Sequence, residues 1–261
     1  MRTCWTFIST AMDSPEKSKK SAWKNCWEEK YKAAEMENKH QPLREEHMET
    51  IRRSGLLSGL AKGKDTEAVS QLGFQVKQLG AEEMAILEGD RVTDIMILHA
   101  GGIRGEKFHL EGNVDLMHMY QRGEIFGAEA VVSRFKTSPL TYIADKEAVI
   151  LRVPFRSITQ SEFSGDIMLA LLRILADDNI KKLYKIETLS KRGLRERVMT
   201  YLRIISRKVG SPCFSIHMDR AQFAQYLCVN RTALSYELNQ MKRDGLIDFQ
   251  KDRFHILEKN Q

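Results

Sequence analysis

The stretch that most constrains the fold of this chain lies near its carboxyl end, at residues 219–243. It predicts two short helices joined by a tight turn at residues 228–229. Asp219 and Gln222 match a capping box at the start of the first helix, and Asn230 has the position of the second N-cap. The apolar residues of both helices recur at helical spacing on one face: Phe223, Ala224, Leu227, Ala233, Leu234, Leu238 and Met241.

The opposite face of the second helix carries hydrogen-bonding side chains beside the helix N-terminus, whose partial positive charge favours a phosphate. This layout is typical of a helix-turn-helix, which presents its second helix to the major groove of DNA. An ordinary helical hairpin with a solvated polar face is the alternative. The candidate base-reading residues are Arg231, Thr232, Ser235, Tyr236 and Asn239.

The residues that follow favour DNA binding. Gly245 ends the second helix, and residues 246–257 predict two strands around a turn at residues 251–252, which makes the module a winged helix. Residues 190–261 contain 14 Lys/Arg and 7 Asp/Glu, a net charge of +7, whereas the whole chain carries +6. The positive charge is therefore concentrated where a polyanion partner needs it.

The chain has 261 residues, enough for about two domains. No apolar run approaches the ~20 residues of a membrane span, and the first residues lack the apolar core of a signal peptide. We therefore expect a cytoplasmic protein with no membrane partner. The cysteines are scattered and lack C-x-x-C spacing, which predicts free thiols and no metal or other cofactor: Cys4, Cys26, Cys213 and Cys228.

Residues 1–47 are dominated by charged and polar side chains and predict a poorly ordered extension. Translation that starts at Met48 is an alternative interpretation of the same segment. Under either interpretation we expect residues 1–47 to be dispensable.

Residues 48–162 predict a separate domain of short strands. Apolar runs of strand length are separated by glycine turns, at residues 88–90, 101–102 and 111–113. Regularly spaced short strands favour an antiparallel roll or barrel over a parallel sheet. Residues 61–189 contain 16 basic and 19 acidic side chains, a net charge of −3, so this part of the chain is not predicted to bind nucleic acid.

A long helix is predicted at residues 163–189. Residues 167–176 are apolar almost all the way round, so this helix must be buried on every face. One face can pack on the roll, and the other needs a partner. A seam with 3- and 4-residue spacing predicts a two-stranded coiled coil in a homodimer, with a single buried core helix as the alternative: Leu169, Leu172, Ala176, Ile180 and Leu183.

In this order, the roll, the long helix and the winged helix resemble the cyclic-AMP receptor and fumarate–nitrate regulator (CRP/FNR) family of bacterial transcription factors. The resemblance covers about residues 50–257 and implies an α+β fold. Its parts would be a jelly-roll-like antiparallel β-roll sensor, a dimerisation helix and a winged helix-turn-helix at residues 190–261. The matching motifs are ILEGD at 86–90, HAGG at 99–102, RGEIFGAEAVV at 122–132, VNRTALSYEL at 229–238 and KRDGLI at 242–247.

The resemblance also implies roles for individual residues of the helix-turn-helix. Arg231 would be the base-reading arginine, suited to the O6/N7 edge of a guanine. Arg220 and Asn230 would hold phosphates. Thr232 stands where many members have Glu, and Tyr236 where they have Arg, so the base preference should differ from theirs.

The sensor departs from the members that bind cyclic nucleotides. Those proteins use a Glu for the ribose and an Arg-Ser pair for the phosphate, and here Ala128, Ser138 and Pro139 take these positions. Glu129 is displaced by one residue and would face the other way on a strand. The effector should therefore not be cyclic AMP. The candidate pocket comprises Phe126, Gly127, Ala128, Glu129, Ser138, Pro139, Leu183 and Tyr184.

We predict a non-enzymatic, homodimeric transcription regulator that binds a pseudo-palindromic operator in double-stranded DNA. An unidentified small effector and RNA polymerase are its further expected partners. A constitutive regulator with an empty roll is one alternative. A cupin-type metal enzyme is the other, but no H-x-H pair exists, and the histidines of the roll are more typical of surface or core positions: His99, His109 and His118.

Overall fold

The computed structural model describes residues 43–109 and 114–257. Residues 1–42 of the predicted extension lie outside the described residues. The predicted turn at residues 111–113 also lies outside them. The boundary predicted between residues 47 and 48 falls inside helix α1 (Glu45–Arg53), where His47 and Met48 are both buried. Burial against the roll extends this helix beyond the point that the polar sequence indicated.

Among the described residues, the first domain is an antiparallel roll of eight short strands joined by turns, in agreement with the roll that the sequence predicts. Every strand pair that forms within it is antiparallel. The strands are β1 (Gln75–Leu79), β2 (Met84–Ile86), β3 (Asp94–Ala100), β4 (Ile103–Phe108), β5 (Val114–Tyr120), β6 (Ile125–Phe126), β7 (Thr141–Ala144) and β8 (Ala148–Pro154).

These strands form two four-stranded sheets, in the orders β1-β8-β3-β6 and β2-β7-β4-β5. Side chains from both sheets meet in a buried cluster that includes Leu98, Ile103, Phe126 and Tyr142. Strand β3 is buried from Asp94 to His99, because the roll interior covers one of its faces and helices cover the other. The roll therefore has a closed apolar interior.

The turn between β3 and β4 requires glycine. Gly101 has φ +90°, and a Cβ there would lie 2.4 Å from the carbonyl oxygen of Glu147. A side chain would therefore be both conformationally strained and in collision with the backbone of the neighbouring turn. This explains the HAGG sequence in physical terms.

Helices cover the outer face of the first sheet. They are α1, α2 (Asp65–Leu72), and α4 (Phe155–Gln160), which directly follows β8. A fourth helix, α3 (Ala128–Val132), follows β6. The sequence placed Glu129 on a strand, and that prediction is wrong. The core under the helices includes Ile51, Leu56, Leu72, Ile95, Ile97, Leu151, Val153, Ile158, Ile167 and Leu171.

Helix α5 (Ser164–Leu189) is the longest element of the described chain. Near its start, Ile167, Ala170 and Leu171 are buried against the roll. The predicted seam lies on a different face, and its residues are exposed in the single chain, as is Ile186: Leu169, Leu172, Ala176, Ile180 and Leu183. The structure of one chain thus leaves a continuous apolar stripe in solvent.

The C-terminal domain consists of three helices and a three-stranded sheet in the order β10-β11-β9. Its core includes Leu202, Phe223, Leu234, Leu238 and Phe254. The elements are α6 (Leu194–Val209), β9 (Cys213–Ser215), α7 (Arg220–Tyr226), α8 (Arg231–Arg243), β10 (Ile247–Gln250) and β11 (Arg253–Ile256). Helices α7 and α8 and the hairpin β10–β11 form the predicted winged helix-turn-helix. The α+β fold is confirmed.

One strand of the roll contributes to the core of this C-terminal domain. Leu116 of β5 is fully buried among the residues that pack α7 and α8 together, and Met119 is partly buried there. The amine of Lys185 on α5 donates a hydrogen bond to the backbone oxygen of Leu116. The amide of Gln222 donates to Asp145 of the roll, at 2.9 Å. Strand β5 is therefore the junction of the two domains.

Across residues 43–109 and 114–257, no helix combines the length and apolar character needed to cross a membrane.

Candidate nucleic-acid interface and effector pocket

The two predicted caps fix the helix-turn-helix. The Asp219 carboxylate accepts the backbone N–H of Gln222 at 2.8 Å, and the Gln222 side chain accepts the N–H of Asp219 at the same distance. Asn230 accepts the N–H of Ala233 at 2.7 Å. Both helices therefore begin where the sequence predicts, because a side chain accepts a backbone N–H of each first turn that has no partner within the helix.

The turn between these helices has a left-handed residue. Cys228 has φ +55°, a conformation that side chains rarely adopt outside Asn, Asp and Gly. The N–H of the next residue, Val229, donates to the carbonyl of Ala224 at 3.0 Å and so closes the end of α7. This turn sets the direction in which α8 leaves.

The predicted base-reading residues share the solvent-facing side of α8. Arg231, Thr232, Tyr236 and Asn239 are exposed, and Ser235 is half-buried. Tyr236 exposes 65% of its surface although it is aromatic. The opposite side of α8 is buried, so the helix is held from behind while its polar row remains free to contact another molecule.

Two cations lie together at the start of this row. The positive charge of Arg231, together with burial, lowers the pKa of the Arg220 guanidinium, with burial as the larger cause. Arg220 is held by the wing, because it donates to the carbonyl of Lys251 at 3.2 Å and lies 5.0 Å from the centre of the Phe249 ring. The capped N-terminus of α8 and these two arginines form a site suited to an anion.

The wing carries cations that the sequence analysis did not single out. Lys251 lies at the tip of the β10–β11 hairpin with φ +56°, and both Lys251 and Arg253 are exposed. A basic residue at each end of a predicted wing turn was a signal that could have identified them. Arg195 of α6 joins that helix to α8 through ion pairs with Glu237 and with Asp244 at the end of α8, each at 2.6 Å.

The candidate effector pocket is filled by aromatic side chains. The ring of Phe126 lies 5.2 Å from that of Tyr142 and 5.5 Å from that of Tyr120. The Tyr142 hydroxyl donates to the Glu129 carboxylate from α3. Burial is the main cause that raises the pKa of both tyrosines. Glu129 thus accepts the hydrogen bond of the buried Tyr142 hydroxyl in the roll.

The other predicted pocket residues lie around this cluster. Ala128 is buried next to Gly127, which has φ +77° at the start of α3. Ser138 is buried, and its hydroxyl donates to the carbonyl of Leu140 at 2.6 Å. Pro139 is exposed. The Ser138 hydroxyl therefore uses its proton in a hydrogen bond within its own loop.

Farther along α5, Lys181 rather than the predicted pair Leu183 and Tyr184 contacts the roll. The amine of Lys181 donates to Glu124 at 3.0 Å, and Glu124 lies 3.2 Å from His118. Leu183 is exposed, and Tyr184 packs with the amine of Lys208 4.5 Å from its ring centre. These helix positions lie outside the aromatic cluster of the single chain.

The three histidines of the roll have separate environments. His118 pairs with Glu124, and His109 lies 2.9 Å from Asp115. His99 is buried at the end of β3, beside His47 of α1. The structure therefore disperses the histidines that the cupin alternative would need in one place.

Comparison with known proteins agrees with this geometry. Residues 196–261 match the Crp-like helix-turn-helix domain family. The chain is 21% identical to the transcriptional activator protein FnrA of Stutzerimonas stutzeri over 226 residues, which cover 82% of this chain and 90% of FnrA. It is also 21% identical to the global nitrogen regulator of a Nostoc species, over 64% of this chain and 78% of that protein.

The fold is shared with FixK2 of Bradyrhizobium japonicum, at a TM-score of 0.60 and 16% identity, over 72% of this chain and 94% of FixK2. The domain match, the similar regulators and the shared fold agree with one another. The chain therefore resembles the DNA-binding transcription regulators of the CRP/FNR family, and its residues 196–261 match the Crp-like helix-turn-helix domain.

Proposed function

We propose that this protein binds a two-half-site operator as a homodimer and regulates transcription in response to a small effector other than cyclic AMP. The observation that carries the proposal is the solvent-facing polar row of α8, which starts at a capped N-terminus beside Arg220 and Arg231. A row of this kind suits the base edges and phosphates of a major groove.

The residues of the row divide into two roles. Arg231 is exposed and suits bidentate contact with a guanine, and the remaining base-reading positions follow it along the helix. Arg220 and Asn230 contact phosphates. The Asn230 oxygen caps α8, which leaves its NH₂ group as the donor for a phosphate oxygen. Arg220 reaches the DNA backbone from beside the wing.

The homodimer forms along α5. The exposed apolar stripe of that helix has the spacing of a two-stranded seam, and an uncovered stripe of this length is unfavourable in water. A two-fold axis along α5 presents two copies of α8 to two half-sites of one operator. We further propose that the dimer acts in the cytoplasm, with RNA polymerase as partner, and catalyses no reaction.

A less polar effector than cyclic AMP suits the roll. A cyclic phosphate carries a full negative charge, and the Tyr142 hydroxyl beside the candidate pocket already donates to the Glu129 carboxylate. Ser138 and Pro139 offer no cation for the phosphate, and Ala128 offers no carboxylate for the ribose. Losing two charged partners costs about 3 kcal/mol or more, which is over a hundredfold in affinity.

Selection of bound sequences from a random duplex library tests DNA recognition directly. We expect the full chain to enrich an inverted repeat whose half-site centres lie about one helical turn apart. The matched control is the Arg231→Ala chain, which should enrich sequences without the guanine assigned to Arg231. Enrichment of a single, non-repeated half-site by the wild type would contradict the dimeric arrangement.

Calorimetric titration tests the effector proposal. Cyclic AMP at millimolar concentration should give no binding heat with the purified protein. Binding at micromolar concentration would refute the proposal and point to Arg134 or Lys136, in the same loop, as the phosphate ligand. Operator affinity measured with and without metabolite extract separates an effector-responsive regulator from a constitutive one.

A further inference from the structure

The start of α1 and the end of β3 bring a cluster of metal-ligating side chains together. Glu46, His47 and His99 each place one ligand atom within 4.8 Å of the others. Both histidines are buried, and their ring centres lie 4.7 Å apart at an interplanar angle of 76°. His47 and His99 are 52 positions apart in the chain, so no local motif reveals the cluster.

Thr50 orients the His99 ring. Its hydroxyl donates to the carbonyl of Glu46 at 3.1 Å, so its oxygen is the acceptor for Nδ1–H of His99 at 2.8 Å. This hydrogen bond leaves the lone pair of His99 on Nε2. Metal-binding histidines are commonly oriented in this way, by a partner on the ring nitrogen that does not bind the ion.

His47 is held less rigidly for ligation. Its Nδ1 accepts the backbone N–H of Arg44 at 3.0 Å, so its proton resides on Nε2 in the neutral ring. Nε2 lies 4.0 Å from the nearest carboxylate oxygen of Glu46. Binding an ion through Nε2 moves that proton to Nδ1 and displaces the N–H of Arg44. Ion binding therefore rearranges the start of α1.

Charged side chains of both signs surround the cluster. Burial lowers the pKa of His47 and of His99. Glu49 lies 3.7 Å from the Arg122 guanidinium, which in turn donates to Thr50 at 3.3 Å. The carboxylate of Glu46 is exposed and lies 3.6 Å from the Arg44 guanidinium, so binding an ion requires it to leave that pair and turn inward.

We propose that Glu46, His47 and His99 bind a divalent transition-metal ion of the Zn²⁺ class, which fastens α1 to the end of β3. Two imidazoles and one carboxylate suit such an ion and leave a fourth position for water. Bonds of about 2.0–2.1 Å place tetrahedral ligands about 3.4 Å apart, so ligand atoms that now lie up to 4.8 Å apart must approach each other by up to about 1.4 Å. The proposed DNA binding does not depend on this site.

Titration of the metal-free full chain with Zn²⁺ tests the site, with two variants on the same helix. Glu46→Gln removes a proposed ligand, whereas Glu49→Gln removes another exposed carboxylate, which lies in an ion pair with Arg122. We expect one Zn²⁺ per chain, unchanged affinity in Glu49→Gln, and a loss of about tenfold or more in Glu46→Gln. The melting temperature should rise by about 5–10 °C at a hundredfold excess over Kd.

The absorption spectrum of the Co²⁺-loaded chain identifies the ligand type. Nitrogen and oxygen ligands give visible bands without sulfur-to-metal charge transfer, and His99→Gln should abolish those bands. Absence of stoichiometric Zn²⁺ binding overturns the proposal. So does equal affinity in Glu46→Gln and Glu49→Gln, or a thiolate charge-transfer band that persists in His99→Gln, because each places the ion elsewhere.

Discussion

Burial and the nearby charge of Arg231 both lower the pKa of Arg220, yet the two arginines face different parts of the proposed DNA surface. Arg231 is exposed on α8, whereas Arg220 is half-buried against the wing. Two neighbouring cations gain from an anion between them, because that anion removes their mutual repulsion. A phosphate at Arg220 would therefore also relieve the repulsion from Arg231, whose proposed contact is a base.

Substitution of each arginine should separate these roles. Arg231→Ala should weaken operator binding by about 1–3 kcal/mol and relax the preference at one base pair per half-site. Arg220→Ala should weaken binding to all sequences alike and reduce the salt slope by about 1. Anisotropy titrations on operator variants at several salt concentrations measure both effects. Identical behaviour of the two variants would show that the assigned roles are wrong.

Lys185 predicts a pH dependence of stability. The residue exposes only 7% of its surface, and burial lowers its pKa to about 8. Asp115 and Cys228 oppose that shift. Between the lowered folded value and the ordinary value of 10.5, the unfolded chain binds more protons than the folded chain. The contribution of Lys185 to the free energy of unfolding therefore increases as pH rises through this window.

Denaturant unfolding of the wild type and of Lys185→Met measures this dependence. We expect the wild type to gain about 2 kcal/mol relative to the variant between pH 7.5 and 9.5. The variant serves as the control for all other titrating groups. A constant difference across this range would mean that the amine stays charged at its buried position.

At the scale of elements, α5 shows which features a sequence can predict. The 3- and 4-residue spacing of Leu169, Leu172 and Ala176 predicted one apolar stripe, and all three are exposed together. The rotation of the helix against the roll was not predictable, because it depends on tertiary packing. That rotation brings Lys181 to Glu124 and leaves Leu183 in solvent.

Ile180→Glu tests the seam on α5. The substitution places two carboxylates opposite each other near the proposed two-fold axis, which costs several kcal/mol unless the helices separate. We expect a monomer that no longer binds a two-half-site operator. Lys182→Glu, exposed on another face of the same helix, should remain a dimer. Size-exclusion chromatography compares the two, and an unchanged dimer in Ile180→Glu would exclude this seam.

At the scale of the whole molecule, a chain truncated to start at Leu43 should be more stable than the chain starting at Met48 that the sequence indicated. A chain that starts at Leu43 retains all of α1, whereas one that starts at Met48 removes its first turn and the buried His47. The shorter chain should melt about 5 °C lower, because it loses a buried side chain and the first turn of α1. The Leu43 chain should keep the operator affinity of the full protein. Equal melting temperatures would show that the first turn contributes nothing.

The fold and the DNA-binding row were predictable because both depend on local patterns. Caps at Asp219 and Asn230, glycine turns and strand-length apolar runs each act within a few residues. Contacts between distant segments were not predictable from one sequence. The meeting of His47 with His99, and the hydrogen bond from Tyr142 to Glu129, follow only from the way the roll closes.

The burial of Leu116 has a consequence for how the molecule unfolds. A side chain of the roll completes the interior of the C-terminal domain, so separating the two domains leaves a cavity behind. The domains should consequently melt in one cooperative transition rather than in two. A protease that cuts between them should release a C-terminal fragment of reduced stability. Any ligand that displaces β5 thereby acts directly on the free energy of the domain that reads DNA.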